Sequence, residues 1–368
     1  MKILILNWRD IKHPRAGGAE IRLHEVYSPL TELGHEVVLY SCSFKNSANF
    51  EKIDGINIYR LGNDWTFALL CFLNLRKWIN LHKPDIVIED LNKLPFYSPI
   101  VYKGPLLIQM HHLWGRSIFK ETFWFIAFFV WLSEKSIGIF YRKCRFSVVS
   151  PSTKNELVQL GIPNNNINII YNGADLKKYY PVNKEKEKVI IWIGRLQKYK
   201  GPIEACKIIA LLNDDFPNFK LVIIGDGPFK HKVEQFVEDN KLPVIFTGYL
   251  DTFEKINWLQ KASVHIQSSY KEGWGLSVIE ANACGCPVVA NDTFGLRDSC
   301  RHNETGLLYK YNDFNDAKEK IATLLTDKIL NKKIVDGGLK WASSFCWKKN
   351  SEEILNLITE IYSMKENQ

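Results

Sequence analysis

The chain has 368 residues, 46% of them apolar, with 48 Lys and Arg against 40 Asp and Glu. That length and apolar share provide for two domains with a core each, and exclude a disordered chain or a small disulfide-stapled one. The net charge of +8 is uneven: 22 basic and 15 acidic residues fall in 1–180 (+7), against 26 and 25 in 181–368 (+1), which predicts an anionic surface or partner for the first half.

No helix-turn-helix, zinc-finger or aromatic RNA-binding signature accompanies that charge, so nucleic acid is not the expected partner. The eight cysteines show no C-x-x-C spacing and fit a reducing cytosol. The apolar run at residues 1–7 is too short for a signal peptide, because Trp8-Arg9-Asp10 interrupts it. A cytoplasmic protein is expected.

A buried-type strand opens the chain at residues 3–7. His13-Pro14-Arg15-Ala16-Gly17-Gly18-Ala19-Glu20 follows, then an amphipathic helix to residue 33 and a strand at 36–40. Strand, glycine-bearing loop, helix and strand make the βαβ unit of an open parallel sheet, without the G-x-G-x-x-G dinucleotide pattern. Adjacent glycines at a helix start let backbone approach a phosphate; a tight strand-to-helix turn explains them equally well. Further strands are predicted at 56–61, 86–89, 106–109 and 146–149, with helices between most of them. His111 and His112 follow the 106–109 strand directly, at the carboxyl edge where ligands bind in such sheets. A histidine at a strand end is also an ordinary structural hydrogen-bonder.

Residues 122–133 (TFWFIAFFVWLS) lie between Glu121 and Glu134-Lys135 and are too few to span a bilayer. Their aromatics, with Arg142-Lys143-Cys144-Arg145 downstream, suit a helix lying at a membrane interface; an ordinary core helix is the other reading. A helix is predicted over 153–160, ending at Gly161, and a strand at 167–171. The charge-alternating run 180–188 reads as an exposed linker between domains.

The second domain opens with a strand at 189–193, followed by GRLQKYKGP. Gly194 lets the chain turn and Pro202 suits the first turn of a helix, which places Arg195 and Lys200 in one strand-to-helix loop. A planar guanidinium and a point-charge ammonium there suit a diphosphate. Strands at 221–224 and 244–247, each with a glycine-bearing turn, come next.

Residues 264–290 (VHIQSSYKEGWGLSVIEANACGCPVVA) carry the most chemical information. The pattern predicts a strand at 264–267, a loop at 268–275, a helix at 276–283, Gly285 as its terminator and a strand from 288. The N–H groups of Gly273, Trp274, Gly275 and Leu276 would gather at the helix start, where donors have no intrahelical partner and the dipole favours an anion. Glu272 and Glu280 flank that site, separated by on the order of 10 Å, about the reach from sugar to ribose in a nucleotide diphosphate sugar. Glu280 sits in an apolar, small-residue run, where a charge without a partner is costly. Cys284 and Cys286 read as packing residues.

This stretch resembles the retaining glycosyltransferases of family 4, whose signature is E-G-F-G, four residues, then E-A-x-A-x-G-x-P-V-V-A. Glu272-Gly273-Trp274-Gly275 and residues 280–290 fit it, with Trp274 for the usual Phe. G-R-L-x-x-x-K-G at 194–201 is similar to the family's phosphate loop, and G-G-A-E at 17–20 to the run that lies against the donor diphosphate. Asp298 stands where Glu is commoner. The resemblance covers essentially the whole chain. It implies an α/β protein of GT-B architecture: two Rossmann-like, doubly wound domains facing a central cleft, at 1–178 (acceptor side) and 179–350 (nucleotide-sugar side), with a helix at 351–368 crossing back to the first.

It further implies transfer of a sugar from a nucleotide diphosphate sugar to a glycan or lipid-linked acceptor hydroxyl, with retention of configuration. In that reading His111 contacts the sugar, with the choice between His111 and His112 left open. Arg195 and Lys200 hold the diphosphate, Glu272 the sugar hydroxyls and Glu280 the ribose, while Gly17, Gly18 and the 273–276 amides line the donor. No cofactor is expected, and no metal, since no D-x-D run occurs in a plausible loop. Contact with an anionic membrane on the cytoplasmic face is expected if residues 122–133 lie at the interface. A sugar-nucleotide epimerase of the same fold, a phosphorylase and a catalytically silent binding subunit are the alternatives.

Overall fold

Apolar runs such as KILIL and IVIEDL are what strands covered on both faces require, and they form the middle of a parallel sheet. The computed structural model describes residues 1–92 and 94–366. The chain divides into two compact units, Met1–Asn172 together with Trp347 onward, and Gly173–Cys346.

In the first unit the order is β1 (Lys2–Leu6), α1 (Gly18–Glu32), β2 (Glu36–Cys42), β3 (Phe50–Ile53), β4 (Ile56–Leu61), α2 (Phe67–His82), β5 (Ile86–Leu91) and α3 (Ser98–Val101). β6 (Leu106–Met110), α4 (Trp124–Phe140), β7 (Arg145–Val148), α5 (Pro151–Gln159) and β8 (Ile167–Ile169) complete it. Among the described residues the sheet runs β3-β4-β2-β1-β5-β6-β7-β8, parallel except for the antiparallel β3–β4 pair. The strand order reverses between β1 and β5. Asp90 of β5 and Gln109 of β6 are register partners, so Asp90, Gln109 and His111 share one carboxyl edge.

The second unit holds β9 (Glu187–Ile193), α6 (Pro202–Asn213), β10 (Lys220–Ile224), α7 (Lys230–Asp239), β11 (Val244–Gly248), α8 (Thr252–Lys261) and β12 (Ala262–Gln267). Then come α9 (Leu276–Ala283), β13 (Val288–Asn291), α10 (Leu296–Ser299), β14 (Leu307–Tyr309), α11 (Phe314–Thr326) and α12 (Lys328–Ala342). The sheet order β11-β10-β9-β12-β13-β14 is wholly parallel and reverses between β9 and β12. Both units are therefore doubly wound, with a switch point at which loops from neighbouring strands diverge and leave room for a ligand. The chain returns to the first unit as α13 (Trp347–Glu366), which packs on α1; Ser351 Oγ donates to the Val26 carbonyl at 2.7 Å.

One expectation is corrected, one strand had gone unforeseen, and one of two open readings is decided. The run 180–188 is not the link between domains: the units divide at Asn172/Gly173, and again at Cys346/Trp347 rather than near 350. The run is fastened to the second unit, with Lys186 Nζ donating to the Gln260 carbonyl at 2.9 Å and Gln260 Nε2 to the Tyr180 carbonyl at 2.8 Å. Its charges made it look detached, but a charged stem can lie along a surface with only its head in water. β3 was not foreseen, because FEKI is an exposed edge strand without an apolar face. Finally, the aromatic stretch is not an ordinary core helix: α4 buries Ala127, Ser133, Glu134 and Ile137 and leaves most of its aromatics in solvent.

Candidate active site

In the second unit, the loops after β9 and β12 meet at the switch point and interlock. Gly201 has φ +71°, and a Cβ there would lie 2.4 Å from the Ser268 carbonyl oxygen, so glycine is required on both counts. Ser268 Oγ donates to the Gly201 carbonyl at 2.5 Å and accepts from Trp192 Nε1 at 3.0 Å. The Tyr270 amide donates to the Tyr199 carbonyl at 3.0 Å. Pro202 then opens α6. Arg195 lies half-buried in the same loop, which the loop after β10 braces through Leu196 N–H to the Asp226 carbonyl at 2.9 Å.

The interlocking brings Lys200 to Glu272. Its Nζ lies 2.6 Å from Glu272 Oε1, and Ser269 Oγ (2.7 Å) and Gln267 Nε2 (3.1 Å) donate to the same oxygen. Burial alone would lower the Lys200 ammonium, but Glu272 and then Tyr199 outweigh it and hold its pKa above the ordinary lysine value. The ammonium is thus a fixed positive charge at neutral pH. With three donors drawn to Oε1, Oε2 is the oxygen left to meet further hydroxyls.

Glu272 leads directly into Gly273, Trp274 and Gly275, and α9 starts at Leu276. Gly295, at φ +80°, backs onto this loop so closely that a Cβ would sit 2.3 Å from the Glu272 carbonyl oxygen. Trp274 is buried and packs edge-on against Phe345 at 5.1 Å, so the aromatic of the loop is an anchor in the core and not a wall of the site. Glu280, one turn into α9, accepts from Tyr179 Oη at 2.9 Å and Lys255 Nζ at 2.8 Å, both on Oε1. The charge that seemed stranded in an apolar run therefore has a protein partner. Burial, and then Glu280, pushes the Tyr179 phenol far up, so it remains a donor. Cys284 and Cys286 are buried thiols, pushed up to about 12 chiefly by burial.

In the first unit, the glycine loop precedes α1. Gly17 N–H donates to Glu20 Oε2 at 2.7 Å, so this amide is already taken; a Cβ on Gly18 would meet nothing within 4 Å, and the loop is open there. Burial foremost raises the Glu20 carboxyl. The preceding loop is fastened by Asp64, which pairs with Arg9 at 2.9 Å and with Arg15. His111 is buried, with Nε2 3.1 Å from Asp90 Oδ1, while Gln109 Nε2 donates to Asp90 Oδ2 at 3.2 Å. Thr153 Oγ1 donates to the His111 carbonyl at 3.2 Å. His112 is half-buried, edge-on to Trp114 at 5.2 Å. His111 is held by a carboxylate, which fixes its ring and tautomer.

Gly17, Gly18 and His111 thus belong to the first unit, and Arg195, Lys200, Glu272, the 273–276 loop and Glu280 to the second. Asp90, Gln109, Gln267, Ser269, Tyr179 and Lys255 were not foreseen. A signal existed for three of them: Asp90, Gln109 and Gln267 are polar residues near the ends of buried strands that are largely apolar. Among the described residues, ligand atoms of His13, Cys42 and Asp64 lie within 4.8 Å of one another, as a metal would need. Asp64 already faces two guanidiniums there, so the cluster does not suit a cation.

Two family models match the chain: Glycosyltransferase Family 4 over residues 16–178, and Glycosyl transferases group 1 over residues 177–341. The chain is 34% identical over 205 residues to an uncharacterized glycosyltransferase of Methanocaldococcus jannaschii, a match spanning 55% of each protein. It is 26% identical over 389 aligned positions to a second one from that organism, covering 96% of this chain and 97% of that protein. Among solved structures, Anabaena HepE in complex with UDP and glucose superposes with a TM-score of 0.78 at 16% identity, covering 98% of this chain and 100% of that one.

Proposed function

The chain belongs to family 4 of the glycosyltransferases and has their GT-B fold, and from that premise we propose that it transfers a sugar from a nucleotide diphosphate sugar to a glycan or lipid-linked hydroxyl, with retention and without a metal. The observation that carries this reading is the meeting of Lys200 and Glu272 across the switch point of the second unit, beside Arg195 and the start of α9. As the glycosidic bond to the diphosphate breaks, negative charge grows on the leaving group. Arg195, Lys200 and the 273–276 amides offer fixed positive charge for it, stabilising the transition state more than the ground state. Glu272 Oε2 takes hydroxyls of the transferred sugar, and Glu280, anchored through Oε1, offers Oε2 to the ribose. His111, held by Asp90, serves the acceptor side, and Gly18 the diphosphate.

That the superposed Anabaena protein was solved with UDP supports a nucleotide diphosphate as leaving group. The test is incubation with UDP-, GDP- and ADP-sugars, first alone and then with acceptor glycans. Release of the nucleoside diphosphate that accelerates with acceptor supports a transferase. Epimerised donor, or donor left untouched while it raises the melting temperature, would overturn it in favour of an epimerase or a silent binding subunit.

A further inference from the structure

We propose that α4 and α2 of the first unit form a docking surface for an anionic lipid bilayer; this deepens the acceptor reading above, because such a surface serves a lipid-linked acceptor. The placement follows from topology. α2 connects β4 to β5 and α4 connects β6 to β7, crossovers that run in one direction along the sheet. Right-handed crossovers then put both helices on the same face. Their inward residues confirm it: Phe67, Cys71, Leu75 and Trp78 of α2 share one core cluster with Ile137 of α4. Between them, Tyr97 at the start of α3 touches α4 through Ser136 (3.0 Å) and Phe140 (ring centroids 5.6 Å apart).

The outward side of this face is apolar. Phe123 and Trp124 are each 74% exposed, Phe129 60% and Trp65, at the approach to α2, 87%; Phe125, Phe128, Leu69 and Leu73 are exposed with them. At 17 residues α4 is about 25 Å long, and no helix among the described residues is long and apolar enough to cross a membrane. A helix of that length lying flat would sink its aromatic side into the headgroup boundary.

Charge selects the occupant. Around α4, Arg116, Lys120, Lys135, Arg142 and Lys143 are all exposed, whereas Glu121 is half-buried and Glu134 buried. α2 carries Arg76 and Lys77 and no acid. A second copy docking face to face would bring like charges together; anionic headgroups complement them. The surface is also coupled to the site. Glu134 of α4 accepts from the backbone N–H groups of Trp114 (2.6 Å) and Gly115 (2.8 Å), a few residues beyond His111.

The experiment is co-sedimentation with vesicles of equimolar phosphatidylglycerol and phosphatidylcholine, and of phosphatidylcholine alone, at low and high salt. Binding is expected to the anionic vesicles only, and to weaken with salt. The pairs Phe125→Ser/Phe129→Ser and Leu69→Ser/Leu73→Ser should each lower partitioning by tenfold or more, and Lys120→Gln/Lys135→Gln by about fivefold per residue. Failure to bind anionic vesicles at low salt, or binding that no variant weakens, would overturn the proposal. So would a dimer on sizing chromatography that the Phe pair dissolves while vesicles bind nothing, since the face would then join two copies. Nucleotide release from donor with and without acceptor glycan, measured on the same samples, reports the transfer chemistry separately.

Discussion

Lys200 Nζ and Glu272 Oε1 lie 2.6 Å apart, although 72 residues separate them in the chain. The pair spans the two loops that part at the β9–β12 switch point, so in the proposed reading it couples the charge for the diphosphate to the carboxylate for the sugar. Replacing Lys200 with Ala removes a fixed cation and leaves Glu272 with only the two neutral donors, Gln267 and Ser269. The expected loss is on the order of 3 kcal/mol of transition-state stabilisation, about a hundredfold in kcat/KM, with the melting temperature little changed. Steady-state kinetics on the purified variant check this; near-normal turnover would remove Lys200 from the site.

His111 invites a second substitution. Asp90 Oδ1 faces its Nε2 at 3.1 Å, and Gln109 orients that carboxylate. Asp90→Asn keeps the shape and removes the charge that selects the Nε2-protonated tautomer. On the order of tenfold should be lost from kcat, with KM for the donor nearly unchanged, since Arg195, Lys200, Glu272 and Glu280, the charged groups proposed to hold the donor, belong to the other unit. An equal rise in donor KM, or a collapse in melting temperature, would make Asp90 a structural residue only.

Metal independence is the third prediction. In the proposed function Arg195 and Lys200 supply the positive charge that a divalent ion supplies elsewhere, and the His13–Cys42–Asp64 cluster faces arginines. Activity after exhaustive chelation should equal that of untreated protein. A large loss that magnesium or manganese restores would show that the two side chains are insufficient.

Most of the architecture was legible because its signals are local. Buried parallel strands need unbroken apolar runs, so β1, β4, β9 and β12 were placed to within about two residues, and Gly285 ended α9 as expected. The charged residues of the candidate site were legible too, since Arg195, Lys200, Glu272 and Glu280 stand in recognisable runs. What spacing could not reveal was pairing at long range. Nothing local ties Lys255 or Tyr179 to Glu280, or Asp90 to His111, because parallel sheets bring together residues a whole crossover apart. The choice between an interfacial and a core α4 stayed open in the sequence for a similar reason. Its residues are apolar all round, and which side meets the core depends on partners supplied by Leu4, Val148 and their neighbours in the sheet.

Gly295 offers a test of the site's scaffold. At φ +80°, with a Cβ position 2.3 Å from the Glu272 carbonyl oxygen, Gly295→Ala must shift the Glu272 loop or strain the backbone. A loss of about 1–3 kcal/mol of stability in denaturant titration is expected, with a fall in activity larger than the loss of folded protein explains. Full activity in the folded fraction would show that the loop tolerates displacement.

His265 sets the last prediction, on pH. It is fully buried in β12, with Nδ1 3.1 Å from the Ile191 carbonyl, and burial pulls its pKa down to about 4. In the unfolded chain the same imidazole protonates near its ordinary value of about 6.5. Between those two values the unfolded state binds more protons than the folded one, so stability rises with pH across that window and falls as acid is added. At about 1.4 kcal/mol for each unit, the full contribution is on the order of 3 kcal/mol, complete only near pH 4 and absent above about pH 7. Urea titrations of the wild type should therefore show stability dropping between pH 6.5 and 4.5. His265→Gln, which cannot titrate, should lose its share of the slope, leaving that of His24, His35 and His82, which burial also lowers, while starting from a lower stability at pH 7. Parallel curves for the two proteins would mean that the acid sensitivity lies elsewhere, the raised carboxyls Glu20 and Glu89 being excluded as its cause because their shift has the opposite sign.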